Sequence, residues 1–175
     1  MYRLCVLFGI ICSSLCAQVD RGYIVEVGDR APQFIAKTID GQIIDIKKNI
    51  GKVIMLKFTA SWCGVCMHEM PVIEQEVWQK HKDNEDFIMI ALTKDTDKKP
   101  QREKEIKTII EKTGVTYPIG IDYNSKIFNM FAEKKAGVTR SIIIDQNGDI
   151  AFLTRLFKQD EFDEMKNTIN KLLLK

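Results

Sequence analysis

Histidine, proline and cysteine are scarce in this chain, which has 2, 4 and 5 of them among 175 residues. Two histidines leave few candidates for a zinc site, which needs about four nitrogen, sulfur or oxygen ligands. An excess of one charge is also lacking, because 26 basic residues are balanced by 24 acidic ones. The net charge of +2 is too small for a strongly basic surface, so we expect no nucleic-acid partner. The hydrophobic share of 45% is enough for the core of one domain.

The first 17 residues have the pattern of an export signal. A short basic start precedes residues 4–15, which are almost all apolar or small. That stretch suits a signal peptide and falls short of the roughly 18 to 20 apolar residues that span a bilayer. We expect cleavage after Ala17, a folded domain over residues 18–175, and a periplasmic or other extracytoplasmic location. Retention as a membrane anchor, lipidation of Cys16, and burial as a first strand or helix are the alternatives.

The cysteines that would remain after export form one closely spaced pair. Cleavage would remove Cys5, Cys12 and Cys16 and leave Cys63 and Cys66. A disulfide between residues so close in sequence closes only a small loop and gains little from restricting the unfolded chain. The pair is therefore interpreted as a reactive dithiol rather than as a structural cross-link.

Apolar runs and turn signals predict strands on both sides of this pair. Residues 53–59 and 87–92 are almost continuously apolar, as expected for strands covered on both faces of a sheet. The Asp-Gly pair at 40–41 predicts a two-residue hairpin turn, and the Asn-Gly pair at 147–148 predicts a second hairpin. Shorter strands are expected over 33–39, 42–46, 117–121, 141–145 and 150–154.

Helical spacing of apolar residues predicts the elements between these strands. Residues 63–81 form a candidate helix with Pro71 inside it, where a kink is expected. Residues 100–113 form another, within a charged segment at 94–107 that is interpreted as a solvated helix face and its entry loop. Asp160 is a candidate N-cap for the last helix. Alternating strands and helices, then a hairpin and a final helix, indicate an α/β fold with a mixed central β-sheet flanked by helices.

The clearest chemical signal is a Cys-x-x-Cys motif where a buried strand leads into a helix. Cys63 lies at the predicted start of that helix, where unpaired amides and the helix dipole stabilise a thiolate. Cys66 lies one turn deeper and can resolve a mixed disulfide. Trp62 is interpreted as part of a docking surface, with ordinary packing as the alternative. Met67 occupies the histidine position of a c-type haem motif, so we expect no haem. Only His68 and His81 remain as soft partners for a metal, and His81 lies far along the helix, so we expect no metal and no other cofactor.

Several segments, from about residue 24 to the end of the chain, carry a family resemblance. They are Val27-Gly-Asp-Arg-Ala-Pro-Gln-Phe34, Gly51-Lys52, Trp62-Cys-x-x-Cys-x-x-Glu-x-Pro71, Tyr117-Pro118 with Asp122, and Ile143-Ile-Asp145 followed by Asn147-Gly148. Together they resemble the TlpA/ResA-like thiol–disulfide oxidoreductases of the thioredoxin-like superfamily. The resemblance implies a thioredoxin fold with an added N-terminal β-hairpin, export, and reduction of disulfides in periplasmic proteins, often in cytochrome c maturation. The implied partners are oxidised protein substrates and a membrane thiol reductant as electron donor.

The resemblance also implies roles for individual residues. Cys63 would be the attacking nucleophile and Cys66 the resolving thiol, and the two would form a redox-active disulfide. Glu69 matches a carboxylate that family members hold near the dithiol. Partly buried, it would exchange protons with Cys66 and modulate the reaction, with a surface glutamate as the alternative.

One position departs from the family pattern. Family members carry a cis-proline in the loop that faces the dithiol, and that position falls on Thr139 here. A cis bond before a residue other than proline costs about 3 to 4 kcal/mol, so a trans Val138–Thr139 bond is expected. The change could alter substrate affinity, change access to Cys63, or admit a metal. The predicted substrate-binding residues are Trp62, Gly64, Val65, Val138 and Thr139.

Two functions of other classes remain alternatives. A peroxiredoxin-like antioxidant would need Pro-x-x-x-Thr-x-x-Cys, but Leu56 and Ala60 hold the proline and threonine positions. A non-catalytic binding or chaperone module would keep the fold without turnover, and the change at Thr139 motivates it. Whether the dithiol reduces or oxidises substrates depends on its potential, which the intervening Gly64 and Val65 leave open.

Overall fold

A computed structural model describes residues 21–174. The predicted export signal, its cleavage site and Cys16 lie outside the described residues. The strands are β1 (Ile35–Lys37), β2 (Ile43–Asp45), β3 (Val53–Thr59), β4 (Phe87–Lys94), β5 (Ile119–Asp122), β6 (Arg140–Ile144) and β7 (Ile150–Leu153). The α-helices are α1 (Gly64–Ile73), α2 (Gln79–His81), α3 (Glu103–Thr113), α4 (Phe128–Phe131) and α5 (Gln159–Leu173).

The main sheet has the strand order β5-β4-β3-β6-β7 and is mixed. β3 pairs in parallel with β4, and β4 pairs in parallel with β5. β6 runs antiparallel to β3, and β7 runs antiparallel to β6. Every residue of β3 is buried, as its apolar run predicts for a central strand. The predicted α/β thioredoxin fold with a mixed central sheet is therefore confirmed.

The added N-terminal hairpin is also confirmed, with one difference in its turn. β1 and β2 pair antiparallel and form a sheet of their own. The N–H of Thr38 donates to the carbonyl of Gln42 at 2.9 Å, so residues 39–41 form the loop, one residue longer than predicted. Gly41 has φ 91°, which a residue with a side chain rarely adopts.

The long helix predicted over 63–81 is interrupted. α1 ends at Ile73, a π-helical turn spans Glu74–Trp78, and α2 completes the element. Pro71 has no N–H to donate to the preceding turn, and the irregular hydrogen bonding begins three residues after it. Where a kink at Pro71 was expected, the structure has a change from α-helical to π-helical hydrogen bonding just after the proline.

Two predicted helix starts were misplaced. α3 begins at Glu103 rather than at residue 100, and its first turn is capped by the Glu105 carboxylate, which accepts from the Arg102 N–H at 3.0 Å. α5 has Lys158 as its N-cap, without a side-chain capping bond, so Asp160 lies inside the first turn. The prediction of Asp160 as N-cap is therefore wrong, although an acidic residue still suits the positive end of the helix.

Candidate active site

Strand β3 and helix α1 together place the two cysteines at one end of the sheet. β3 ends at Thr59, and after a short turn Cys63 is the N-cap of α1 with an extended backbone. The N–H of Cys66 donates to the sulfur of Cys63 at 3.2 Å. Cys63 therefore lies where the sequence predicted, against amide donors that stabilise negative charge on sulfur.

The two cysteines differ in their access to solvent. A disulfide joins them, with 5.2 Å between their Cα atoms. Cys63 is 8% exposed, whereas Cys66 is fully buried. This difference favours Cys63 as the attacking thiol and Cys66 as the thiol that resolves a mixed disulfide, and these two roles stay predictions.

Thr139 lies directly against the disulfide. Its hydroxyl oxygen is 3.2 Å from the sulfur of Cys63 and 3.4 Å from that of Cys66. Disulfide sulfurs carry no hydrogen, so the single hydroxyl hydrogen can be donated to only one of them at a time. The position follows from the sheet, because β6 begins one residue later and pairs with β3 at Phe58. The peptide bonds of residues 21–174 are all trans, so the Val138–Thr139 bond is trans as well.

The remaining predicted substrate-binding residues fall into two groups. Trp62 and Val65 are 43% and 42% exposed, and Gly64 between the cysteines is exposed too. They give Cys63 a solvent-facing apolar border. Val138 is 3% exposed, so the structure leaves little of this residue open to a substrate. Substrate binding by these residues stays a prediction.

Glu69 is paired inside the protein rather than partly exposed. Its carboxylate accepts a hydrogen bond from the Lys57 ammonium at 2.7 Å. Both side chains are almost fully buried, with 3% exposure for Glu69 and 0% for Lys57. A buried charge is tolerated only when it has such a partner, and breaking the pair is costly. Within residues 21–174 neither sulfur is a hydrogen-bond partner of this carboxylate, so proton exchange with Cys66 stays a prediction.

Sequence reasoning missed Lys57 and also the residue that holds the turn before Cys63. The side-chain oxygen of Gln101 accepts from the N–H of Ser61 at 3.0 Å, and its amide group donates to the Ser61 hydroxyl at 3.2 Å. Gln101 is only 1% exposed. Lys57 could have been found as a lone charge in an apolar strand, which indicates a buried partner. No sequence pattern singles out Gln101.

The interpretation of residues 94–107 as a solvated helix face and its entry loop is wrong for Lys94 and Asp95, which are both buried. Asp95 is 3% exposed and accepts from the N–H groups of Gln101 and Asn124 at 2.8 and 3.1 Å, and from Arg102 at 2.8 Å. Burial by itself would raise the pKa of Asp95, but these donors outweigh it and hold that pKa below its usual value. The carboxylate thus fixes the loop that carries Gln101 to the turn before Cys63.

Lys94 is buried next to the loop that carries Thr139. Its ammonium donates to the carbonyl oxygens of Lys134 and Ala136 at 2.9 and 3.1 Å. It also lies 3.6 Å from the ring centre of Phe128. Burial lowers the pKa of Lys94 to about 8, with a smaller contribution from Arg140.

Residues 21–174 contain neither a candidate metal centre nor a candidate membrane span. No three or more His, Cys, Asp or Glu side chains come together in residues 21–174 in a way that could hold a metal ion. No helix in that part of the chain combines the length and the apolar character needed to cross a membrane. The chemistry that the site itself offers is thiol–disulfide exchange.

Comparisons with known proteins agree with this geometry. Residues 26–171 match the Redoxin family. The chain is similar to a thiol-disulfide oxidoreductase ResA of Bacillus cereus, with 23% identity over 98% of this chain and 95% of that protein. It is 28% identical to ResA of Bacillus anthracis over 72% of this chain and 68% of that protein. A candidate protein disulfide isomerase from Bacteroides thetaiotaomicron, known from its solution structure, is 44% identical, covers 88% of this chain and 94% of its own, and superposes with a TM-score of 0.82.

Proposed function

Since this chain belongs to the redoxin family, we propose that it reduces disulfides in exported proteins through its Cys63–Cys66 dithiol. The chain is a thiol–disulfide oxidoreductase, and the proposal concerns its direction, its location and its partners. One observation carries the proposal: Cys63, slightly exposed at a helix N-terminus, is bonded to the fully buried Cys66. An exposed apolar border around that sulfur offers a polypeptide a place to dock.

The reaction is a pair of exchanges with the sulfurs in fixed roles. The thiolate of Cys63 attacks one sulfur of a substrate disulfide, forming a mixed disulfide and releasing the other substrate sulfur as a thiolate. Cys66 loses its proton and attacks the sulfur of Cys63, which releases the second substrate sulfur. The substrate gains two electrons, and the protein is left with its Cys63–Cys66 disulfide. A thiol donor then reduces that disulfide through the same two exchanges in reverse.

Other residues prepare these steps. The Cys66 N–H and the Thr139 hydroxyl are both positioned to donate to the sulfur of Cys63, and both stabilise it as a thiolate. The buried Lys57–Glu69 pair lies on the strand and helix that carry the dithiol. Through it, protons could be exchanged with Cys66 as resolution proceeds.

The location and the partners follow from the chain's N-terminal pattern and its family. An export signal over residues 1–17 would deliver the domain to the periplasm or another extracytoplasmic space. A dithiol that works there as a reductant needs electrons from across the membrane, which points to a membrane thiol reductant as donor. Its clients would be oxidised exported proteins, among them proteins of cytochrome c maturation.

The reduction potential of the Cys63–Cys66 pair tests the direction. The protein is equilibrated in thiol redox buffers, and the reduced fraction is read from alkylation. A value well below about −200 mV, towards thioredoxin, would support a reductase with a dedicated electron supply. A value near about −120 mV would identify an oxidant that makes disulfides and would overturn the proposed direction.

Separate experiments address location and client. N-terminal sequencing of the protein recovered from its host should begin at Gln18. A protein that keeps Met1 and is recovered from the cytoplasmic fraction would contradict export.

The client class is tested in a deletion strain. Loss of haem staining of c-type cytochromes in that strain, restored by the wild-type chain but not by Cys63→Ser, would support the proposed clients. Full restoration by Cys63→Ser would instead support a binding or chaperone role. Thiol-dependent turnover of hydrogen peroxide at rates above disulfide reduction would support an antioxidant.

A further inference from the structure

An open cleft of about 630 Å³ lies beside the loop that carries Thr139. Its lining includes the cationic side chains of Arg21, Arg140, Arg155 and Lys158 and the carboxylates of Glu133 and Glu161. Positive groups thus outnumber negative ones in the cleft, although the whole chain carries a net charge of only +2. Such a concentration of charge in one concave surface favours an anion.

Arg140 is a buried cation without an acidic partner in the described residues. It is 1% exposed. Its guanidinium donates to the carbonyl oxygens of Gly137 at 2.9 Å and Arg21 at 2.6 Å, and it lies 4.3 Å from the ring centre of Tyr23. The remaining nitrogen, Nη1, is buried and has no hydrogen-bond partner in residues 21–174. A buried guanidinium donor without a hydrogen-bond partner is costly, and an anion is a partner that also offsets its charge.

Arg155 adds a second unused donor to the same cleft. Its Nη1 is likewise buried and without a hydrogen-bond partner in the part of the chain that is described. The guanidinium packs closely over Gly137, where a Cβ would lie 2.7 Å from Nη2. A larger residue at 137 would therefore displace the guanidinium.

The carboxylates of the cleft leave these two arginines unneutralised. Glu161 is held by Arg21, with 2.7 Å between the charged atoms, and it also accepts from the backbone N–H of Arg155 at 3.0 Å. Glu133 is exposed at the cleft margin. Neither forms an ion pair with the guanidinium of Arg140 or Arg155 within the described residues.

The cleft and the dithiol share one short loop. Gly137 and Arg140 line the cleft, while Thr139 between them contacts both sulfurs. Leu156, which also lines the cleft, is exposed and donates its N–H to the Thr139 carbonyl at 3.2 Å. A polypeptide whose sulfur reaches Cys63 must pass close to this loop.

We propose that this cleft, built around Arg140 and Arg155, binds an acidic side chain of the client polypeptide close to its target cysteine. The guanidinium groups of Arg140 and Arg155, which line the cleft, would bond the carboxylate, and the charge of Lys158 would add to the attraction. The proposal deepens the proposed function, because it assumes that a disulfide-bonded polypeptide docks at Cys63. It predicts that the protein selects clients with Asp or Glu near the cysteine.

The first experiment compares matched peptide substrates. Each peptide carries one cysteine in a mixed disulfide, and a single Glu is moved through positions up to about four residues away, about 13 Å of extended chain. The reference peptides carry Gln at the same positions. At constant ionic strength, reduction by the wild-type protein should be about tenfold faster for Glu than for Gln at the position that reaches the cleft, because charge-assisted hydrogen bonds are the stronger kind.

Variants then connect the preference to the cleft. In Arg155→Gln the Glu-to-Gln rate ratio should fall towards one, and Arg155→Lys should keep part of it. Arg30→Gln removes the same charge at the surface near Asp149 and should keep the wild-type ratio. A wild-type ratio of one at every position, or a preference that Arg155→Gln leaves intact, would overturn the proposal while leaving the oxidoreductase activity in place.

A binding measurement keeps the proposal testable if no peptide is reduced. The oxidised protein is titrated with the preferred Glu peptide carrying Ser in place of Cys, and amide shifts of residues 137–140 and 155–158 are followed by NMR. Shifts that are present in the wild type and lost in Arg155→Gln would support an acidic-peptide site even if the proposed function fails. Equal shifts with glutarate or inorganic phosphate alone would identify a site for small anions and overturn the client assignment, and so would the absence of any shift.

Discussion

The hydroxyl of Thr139 lies 3.2 Å from the sulfur of Cys63, at the position where the TlpA/ResA-like pattern has proline. A prolyl residue offers no donor at this place, because it has neither a hydroxyl nor an N–H. A threonine can bond the sulfur in both redox states, and it does so more strongly when the sulfur is a thiolate. The substitution therefore adds a polar contact at the reacting atom itself.

Replacing Thr139 with Val should make the dithiol a stronger reductant. The shape is nearly kept, but the thiolate of the reduced form loses a charge-assisted hydrogen bond. At about 1.5 kcal/mol for such a bond, the reduction potential should become more negative by about 30 mV. The measurement is equilibration in glutathione buffers, together with the thiolate absorbance of the reduced protein at fixed pH, which should fall.

Thr93→Val is the matched control for this change. Thr93 is a buried threonine of β4 whose hydroxyl donates to the Gly120 carbonyl at 3.3 Å rather than contacting either sulfur. Its removal should cost stability without moving the potential. An unchanged potential in Thr139→Val, or the same shift in both variants, would show that the Thr139 hydroxyl does not stabilise the thiolate.

Removing one charge of the Lys57–Glu69 pair should destabilise the protein far more than removing both charges together. Lys57→Met leaves the Glu69 carboxylate buried without a partner, which costs about 3 to 5 kcal/mol in the free energy of unfolding. The double variant Lys57→Met/Glu69→Gln removes both charges and should recover most of that loss. Urea unfolding of the oxidised forms measures both values, and a double variant as unstable as the single one would contradict the argument.

The same double variant tests whether Glu69 takes part in the chemistry. If the carboxylate exchanges protons with Cys66, resolution of the mixed disulfide should slow in the stable double variant, and its pH profile should change. Glu74→Gln serves as the comparison, because Glu74 is a buried carboxylate further along the same helical segment that is bonded to Thr116 at 2.8 Å. Wild-type resolution rates in the double variant would leave Glu69 with a structural role only.

The stability of the fold should depend on the titration of Lys94. The pKa of this lysine is about 8 in the folded protein and 10.5 ordinarily. Between those values the unfolded chain binds more protons, so the free energy of unfolding rises with pH through this window. Arg140 contributes to the lowering and Asp122 opposes it, but burial is the main cause.

The contribution of Lys94 is isolated by comparing the free energies of unfolding of the wild type and Lys94→Met at two pH values. Urea unfolding at about pH 8.5 and pH 10, both inside this window, should show the wild type gaining stability relative to Lys94→Met as the pH rises. Lys107→Met changes a lysine on the exposed face of α3 and should give no such change in the difference. A constant difference between wild type and Lys94→Met at both pH values would exclude the buried lysine as the cause.

How far the sequence predicts this site depends on whether the contact is local. Cys63 and Cys66 are three residues apart, and helix α1 begins between them. The strand-to-helix pattern of the sequence was therefore enough to place both cysteines. Thr139 was placed by counting back from the Ile-Asp end of β6, because a strand with a fixed register carries its preceding loop with it.

Contacts between distant segments could not be predicted in this way. The Lys57–Glu69 pair joins a strand and a helix, and only the lone charge in an apolar run hinted at it. The cationic cleft brings Arg21 beside Arg140, and the two are 119 residues apart. No periodicity or motif predicts this contact, because it depends on the path of the N-terminal segment through the folded domain.

The difference in burial between the two sulfurs predicts unequal reactivity. In reduced Cys66→Ser the remaining thiol is Cys63, 8% exposed at a helix N-terminus, whereas in Cys63→Ser it is the fully buried Cys66. Iodoacetamide should therefore alkylate Cys66→Ser faster by about tenfold or more, because reaction requires an accessible thiolate. In urea, where both sulfurs are exposed and α1 is lost, the two rates should converge. Equal rates in the folded state, or faster alkylation of Cys63→Ser, would reverse the assignment of attacking and resolving thiols.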